Sequence, residues 1–127
     1  MKEVMAIIRQ NKVNQIKEAL VQQGFPAFTC VKVLGRGKKT IDLSVIQDIV
    51  ESGEVPVSTI GEALTEPTRL ISKRFFTLIV EDDDVDKVVS IIIDTNTTGN
   101  AGDGKIFILP IDESIRVRSG EKHADAF

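Results

Sequence analysis

The sequence predicts an α+β domain in which two β-α-β units form one antiparallel four-stranded sheet with both helices on the same face. Three observations lead there. Two strand-helix-strand patterns of similar length follow one another along the 127 residues. Each pattern changes its apolar period from that of a strand to that of a helix and back. Right-handed crossovers then assemble two such units most simply into a single sheet.

Residues 2–9 (KEVMAIIR) form a short apolar run with charged ends, too short for a buried helix, and read as a strand. Over residues 11–23, Val13, Ile16, Ala19 and Leu20 recur at helical spacing, with Asn11 as the expected N-cap and Gly24 and Pro26 as the stop. Residues 27–34 (AFTCVKVL), rich in β-branched and aromatic side chains, give a second strand ending at Gly35.

The second half repeats the plan. Residues 73–80 (KRFFTLIV) form a strand, and Asp82, Asp83 and Asp84 offer an N-cap and favourable charge for a helix start. Val85, Val88, Val89, Ile92 and Ile93 then mark one apolar helical stripe. A glycine-rich loop at 96–104 (NTTGNAGDG) leads into strand material at 105–109 and 115–117, with a turn at 110–113. Residues 119–127 read as a flexible, frayed tail. This is the ferredoxin-like plan, in one domain spanning 1–127. One helix layer leaves the other sheet face bare while the strands are apolar on both sides, so an oligomer is expected to cover it.

Residues 36–72 are the exception, since a compact domain rarely carries so long a connection without a functional reason. Leu43, Ile46, Ile49 and Val50 give a short amphipathic helix there, broken between Gly53 and Pro56. The segment is expected to order against a partner or ligand.

Composition narrows the function classes. With 16 Lys+Arg against 19 Asp+Glu the net charge is −3, which argues against a nucleic-acid binder. The single cysteine, Cys30, allows neither a disulfide framework nor a metal knuckle and suits a reducing, cytoplasmic setting. No apolar run approaches the roughly 20 residues of a membrane helix. The single histidine, His123, lies in the tail, away from Cys30 in sequence, so no nucleophilic triad and no catalytic residue can be assigned. The acidic run 81–84 is explained by helix capping rather than by metal binding.

Gly99 to Lys105 (GNAGDGK) satisfies the G-x-x-x-x-G-K part of a nucleoside-triphosphate loop. The match fails at Ile106, which has no hydroxyl for Mg²⁺, and in the strand-like run that follows where a helix would be needed. What remains is an anion nest: three glycines able to present backbone N–H groups, beside the Lys105 cation. Gly35, Arg36, Gly37 and Lys38 offer a second flexible, positive backbone segment. Arg116 and Arg118 alternate with Ile115 and Val117, which puts both guanidinium groups on one face of a strand, an arrangement suited to phosphate.

These residues resemble the PII signal-transduction family. Its C-terminal signature is similar to residues 98–108 (TGNAGDGKIFI), supported by the opening MKEVMAIIR, the 29–37 segment ending in G-x-G, Lys73, and the ending Arg116-x-Arg118-x-Gly120. The resemblance implies a trimer that buries the bare sheet face, or a mixed oligomer with a second PII-like protein. It further implies ATP or ADP in the cleft between subunits. Residues matching Gly102, Asp103, Gly104, Lys105, Arg116 and Arg118 would hold the phosphates, and Ile7, Thr29, Gly35, Gly37 and Lys38 would line the cleft. Lys73 matches a lysine on the 2-oxoglutarate carboxylate, and Lys39 stands where the family's Gln ligates Mg²⁺ together with that metabolite. No metal ligand is therefore assigned. Thr77 stands where many members carry Glu, and the modified T-loop tyrosine cannot exist in a chain without Tyr.

Residues 36–72 correspond to the family's T-loop, longer here than usual, as in the nitrogenase-associated branch of methanogens. In that branch two PII-like proteins inhibit dinitrogenase, and ATP with 2-oxoglutarate relieves the inhibition. A regulator of ammonium transport or of glutamine synthetase is the alternative within the family. An acylphosphatase-like hydrolase on the same fold is the rival from another class, and for it Arg9 would have to act in a phosphate loop after the first strand.

Overall fold

The computed structural model describes residues 1–37 and 70–123; Lys38, Lys39, the helix expected at 43–50, and residues 124–127 lie outside them. Strand β1 (Lys2–Ile8) alternates strictly, burying Val4, Ala6 and Ile8 while Ile7 stays 39% exposed. It lies between β3 (Ile71–Val80) and β4 (Lys105–Pro110), and β2 (Thr29–Gly35) adds to the far side of β3, giving the antiparallel order β2-β3-β1-β4. The register sets Ala6 opposite Phe76 and Ile106, and Ile7 opposite Phe75 and Lys105. The expected ferredoxin-like topology is therefore present.

Helices α1 (Val13–Gln22) and α2 (Val85–Asn96) cover one face. Their inward residues Ile16, Leu20, Val88 and Ile92 join Val4, Ala6, Ile8, Phe76, Leu78 and Val80 in one buried cluster. Phe28 stacks on Phe76 at 5.0 Å between ring centroids. Ile16→Val removes one methyl group from a fully buried site in this cluster. It should cost about 1 kcal/mol in urea unfolding, and an unchanged midpoint would show that the helix packs more loosely there than its burial indicates.

Both helix starts differ from the sequence expectation. Asn11 does not cap α1: it lies within a 3₁₀ turn (Gln10–Lys12) that makes no side-chain cap bond. Asp82–Asp84 likewise form a 3₁₀ turn before α2 without a side-chain cap, and Asp82 instead accepts a hydrogen bond from the N-terminal ammonium of Met1. That ammonium holds the Asp82 carboxyl below its ordinary range. In both places an added turn satisfies backbone groups that the caps were expected to take.

The C-terminal part also departs from expectation. The strand predicted at 115–117 stops after two residues, β5 (Ser114–Ile115), and Val117 and Arg118 lie in a turn. Arg116 and Arg118 therefore do not share a strand face. Residues 119–123, expected to fray, complete a hairpin: β6 (Lys122–His123) pairs with β5, and Gly120 N–H donates to Arg116 at 2.7 Å.

The sheet face away from the helices carries Met5, Ile7, Val31, Phe75 and Phe107 by register. Val31 is 50% and Phe107 45% exposed. One polar pair interrupts it, Thr77 Oγ1 donating to Glu3 at 2.8 Å.

Candidate functional site

Between α2 and β4 the chain turns back at residues 97–104. The polar, glycine-rich composition that marks this stretch as a loop also supplies its geometry: Gly99, Gly102 and Gly104 all have positive φ. At Gly104 (φ +106°) a Cβ would lie 1.8 Å from the Ile7 carbonyl oxygen, so only glycine lets the backbone pass β1.

Asp103 holds the loop together. Its carboxylate accepts hydrogen bonds from Thr98 N–H at 2.8 Å, the Thr98 hydroxyl at 2.5 Å and Gly99 N–H at 3.0 Å. Just past the end of β1, Arg9 Nε donates to the same carboxylate at 3.3 Å, while Arg9 Nη2 donates to the Ala101 carbonyl at 2.9 Å. Lys73 Nζ donates to the Gly102 carbonyl at 2.9 Å. Partial burial alone would raise the Asp103 carboxyl; the bonds from Thr98, Gly99 and Arg9 outweigh it and hold it below its ordinary value.

That direction fixes a pH dependence. A carboxyl whose folded value lies below its unfolded one adds stability above the unfolded value of about 4, and the gain is lost as pH falls through the lower folded value. Wild type should lose more thermal stability than Asp103→Asn between about pH 5 and about pH 3. Parallel losses would mean that Asp103 does not titrate as its bonds require.

The nest differs in detail from the one expected. Gly99 N–H is taken by Asp103, and Asn100 N–H by the Thr98 hydroxyl at 3.2 Å, so the first half of the loop is internally satisfied. Among the described residues the Gly102 and Gly104 N–H groups take no part in this internal bonding, whereas the turn at 101–102 directs Asp103 N–H back to Asn100. These two amides, with the Lys105 side chain following them, form the part able to take an anion. Lys105 Nζ lies 5.9 Å from the Phe107 ring centre, toward the helix-free face. On the helix side, Asp103, Gly104 and Lys105 close one end of a groove of about 330 Å³ walled by Ile8, Val89 and Ile92.

Of the residues singled out in the sequence, the fold brings Ile7, Lys73, Gly102, Asp103, Gly104 and Lys105 together at one end of the sheet. Gly35 ends β2 opposite Ile71, and Gly37 follows it. Thr29 pairs with Thr77, two positions along β3 from the Ile7 row and one strand further out, so it is not at the loop. Arg116 and Arg118 are not brought there either: β4 runs from Lys105, beside Ile7, to Pro110, opposite Lys2, and the arginines follow at that far end.

Arg9 is the residue that sequence reasoning undervalued. Strand alternation would point it to the helix-free face, but the chain leaves β1 at Ile8 and buries the Arg9 side chain to 1% exposure. Its guanidinium is committed to the loop, which removes the phosphate-binding arginine that the acylphosphatase-like reading needs.

A model of the family described as Nitrogen regulatory protein P-II matches residues 1–121. The chain belongs to that family. Among its P-II relatives, the nitrogen fixation nifHD region GlnB-like protein 2 of Methanothermococcus thermolithotrophicus is 44% identical over 128 residues, spanning 95% of this chain and 94% of its own. The nitrogen fixation nifHD region GlnB-like protein 1 of the same organism is 39% identical over 121 residues, spanning 95% of this chain and 97% of its own. Among solved structures, Arabidopsis thaliana PII bound to citrate superposes with a TM-score of 0.68 at 28% identity, covering 97% of this chain and 85% of that one. The resemblance read from the sequence is thereby established at the level of the family. Both of these GlnB-like relatives are named for a nitrogen fixation nifHD region. Among the described residues no helix is long and apolar enough to cross a membrane.

Proposed function

We propose that this P-II chain is a non-enzymatic sensor of ATP or ADP and of 2-oxoglutarate that controls nitrogen fixation by binding nitrogenase through residues 36–72. The observation that carries the reading is the Asp103-organised loop. Its second half leaves the Gly102 and Gly104 amides available beside Lys105, a donor set suited to phosphate oxygens. Ile7, Gly35, Gly37 and Lys38 would line the cleft, and Thr29, Arg116 and Arg118 would come to the phosphate end from a second copy, since one chain holds them apart. The site is then complete only in a trimer or a mixed oligomer, which also covers the helix-free face.

Lys73 would bind the 2-oxoglutarate carboxylate, next to the Gly102 carbonyl it already touches, with Lys39 in place of the usual Gln near Mg²⁺. A P-II relative solved with citrate, another polycarboxylate, supports a site of this class. Relatives named as proteins 1 and 2 of a nifHD region support nitrogenase as target and a second P-II chain as partner. Nucleotide and 2-oxoglutarate can move the loop only by the difference in their affinities for its states.

Calorimetric titration with Mg-ATP, with and without saturating 2-oxoglutarate, tests the reading. ATP binding should tighten when 2-oxoglutarate is present, and the purified chain should inhibit dinitrogenase until both ligands are added. Lys105→Ala and Arg118→Ala should each weaken ATP binding about tenfold or more, the loss expected for one charge-assisted hydrogen bond, without unfolding the protein. Unchanged affinity in both would overturn the site, and absence of ATP binding in wild type would overturn the sensor.

A further inference from the structure

Arg9 and Asp103 form an ion pair that joins the end of β1 to the loop, and one member of it is almost completely enclosed. The Arg9 side chain is 1% exposed, that of Asp103 24%. A buried guanidinium keeps its charge, so the enclosed cation requires acceptors, and it has them in the Asp103 carboxylate and the Ala101 carbonyl. Asp103 is similarly engaged: one oxygen takes both the Thr98 and Gly99 N–H groups, and the other takes the Thr98 hydroxyl and Arg9. A carboxylate so occupied faces into the loop and repels rather than attracts phosphate.

We infer that Arg9 and Asp103 are positioning residues, acting as one unit to shape the loop so that the Gly102 and Gly104 amides point at an anion without either side chain touching it. The anion is the nucleotide phosphate of the reading above, on which this inference rests. Gly102 shows how closely the unit is fitted, since a Cβ there would lie 3.0 Å from Arg9 Nη2 and 3.5 Å from Lys73 Nζ. Asp103 thereby moves from the phosphate-contacting residues that the family resemblance implied to the residues that shape the site. Arg9 joins it there.

The unit can be dissected with Asp103→Asn, Arg9→Met and the double variant in the full chain. An amide has one acceptor oxygen where the loop uses two, and Met keeps the unbranched apolar stem of Arg without the guanidinium and its donors. Amide exchange at Thr98 and Gly99, followed by NMR without nucleotide, should quicken about tenfold or more in each single variant. Mg-ATP affinity should fall about tenfold in each, and the double variant should lose no more than either single one, because residues acting as a unit are non-additive. Arg9→Lys, which keeps the charge and loses the fork, should recover part of that affinity. The global unfolding midpoint reports whether each variant folds. Should Arg9→Met fail to fold, Asp103→Asn and Arg9→Lys carry the same comparison.

Wild-type exchange rates at Thr98 and Gly99 in the Arg9 variants, or affinity losses that simply add, would overturn the inference. If wild type binds no Mg-ATP, the nucleotide reading fails, and the exchange rates alone then decide whether Arg9 and Asp103 shape the loop.

Discussion

Gly104→Ala should be among the most disruptive single methyl additions in this chain, costing on the order of 3 kcal/mol or more. Two effects combine there. The backbone at φ +106° is one that residues with a Cβ avoid, and the new Cβ would sit 1.8 Å from the carbonyl oxygen of Ile7. That oxygen is main chain, fixed by the Ile7–Lys105 register, so β4 could make room only by separating from β1. Gly102→Ala should cost less, because its Cβ meets the end of the Arg9 side chain at 3.0 Å rather than backbone. Gly99→Ala, with φ +86° and open space around it, should show the conformational term alone, about 1 kcal/mol. Urea unfolding of the three variants should give that order. A Gly104 variant no less stable than the Gly99 variant would mean that the loop does not approach β1 as described.

The same three glycines show how far the sequence could be read. Their spacing, the lysine after them and the strand-like run beyond predict a nest for an anion, and the loop does occupy the end of the sheet beside Ile7. What spacing alone leaves unspecified is the division of labour among the amides. That division depends on Asp103 reaching back to Thr98 and Gly99, five and four residues away, and on Arg9 reaching across more than ninety residues. Helix periodicity and strand alternation were legible because each depends on a local repeat. The helix starts were not, because Met1 competes for Asp82 and a 3₁₀ turn takes the place of each cap. The arginines do not share the expected strand face because alternation over 115–118 assumes a strand, whereas the Gly120 turn closes a hairpin there first.

On the proposed reading, one chain supplies half of the site. The loop amides, Lys73 and Lys105 stand at one end of the sheet, and Arg116 and Arg118 leave from the other. The proposed oligomer would resolve this and the exposed apolar face together, because a second copy laid against that face could bring its own far end to the first copy's loop.

Phe107→Glu tests that link. Phe107 projects from β4 onto the helix-free face, opposite Met5, and is 45% exposed, so a single chain should accept a carboxylate there with little change in its own fold. In an assembly that buries the face, the same carboxylate would lose its hydration with only Lys105 of its own chain near it, at a cost of several kcal/mol. Self-association should weaken at least about a hundredfold, read by sedimentation as a shift from the wild-type assembly to the monomer. Nucleotide affinity should fall with it, although Phe107 lies outside the proposed phosphate contacts. Lys105→Ala, by contrast, should lower affinity while leaving the assembled mass unchanged. A Phe107→Glu protein that sediments as wild type would place the interface elsewhere. A monomeric variant that still binds Mg-ATP with wild-type affinity would show that one chain suffices for the site, and would remove Arg116 and Arg118 from it.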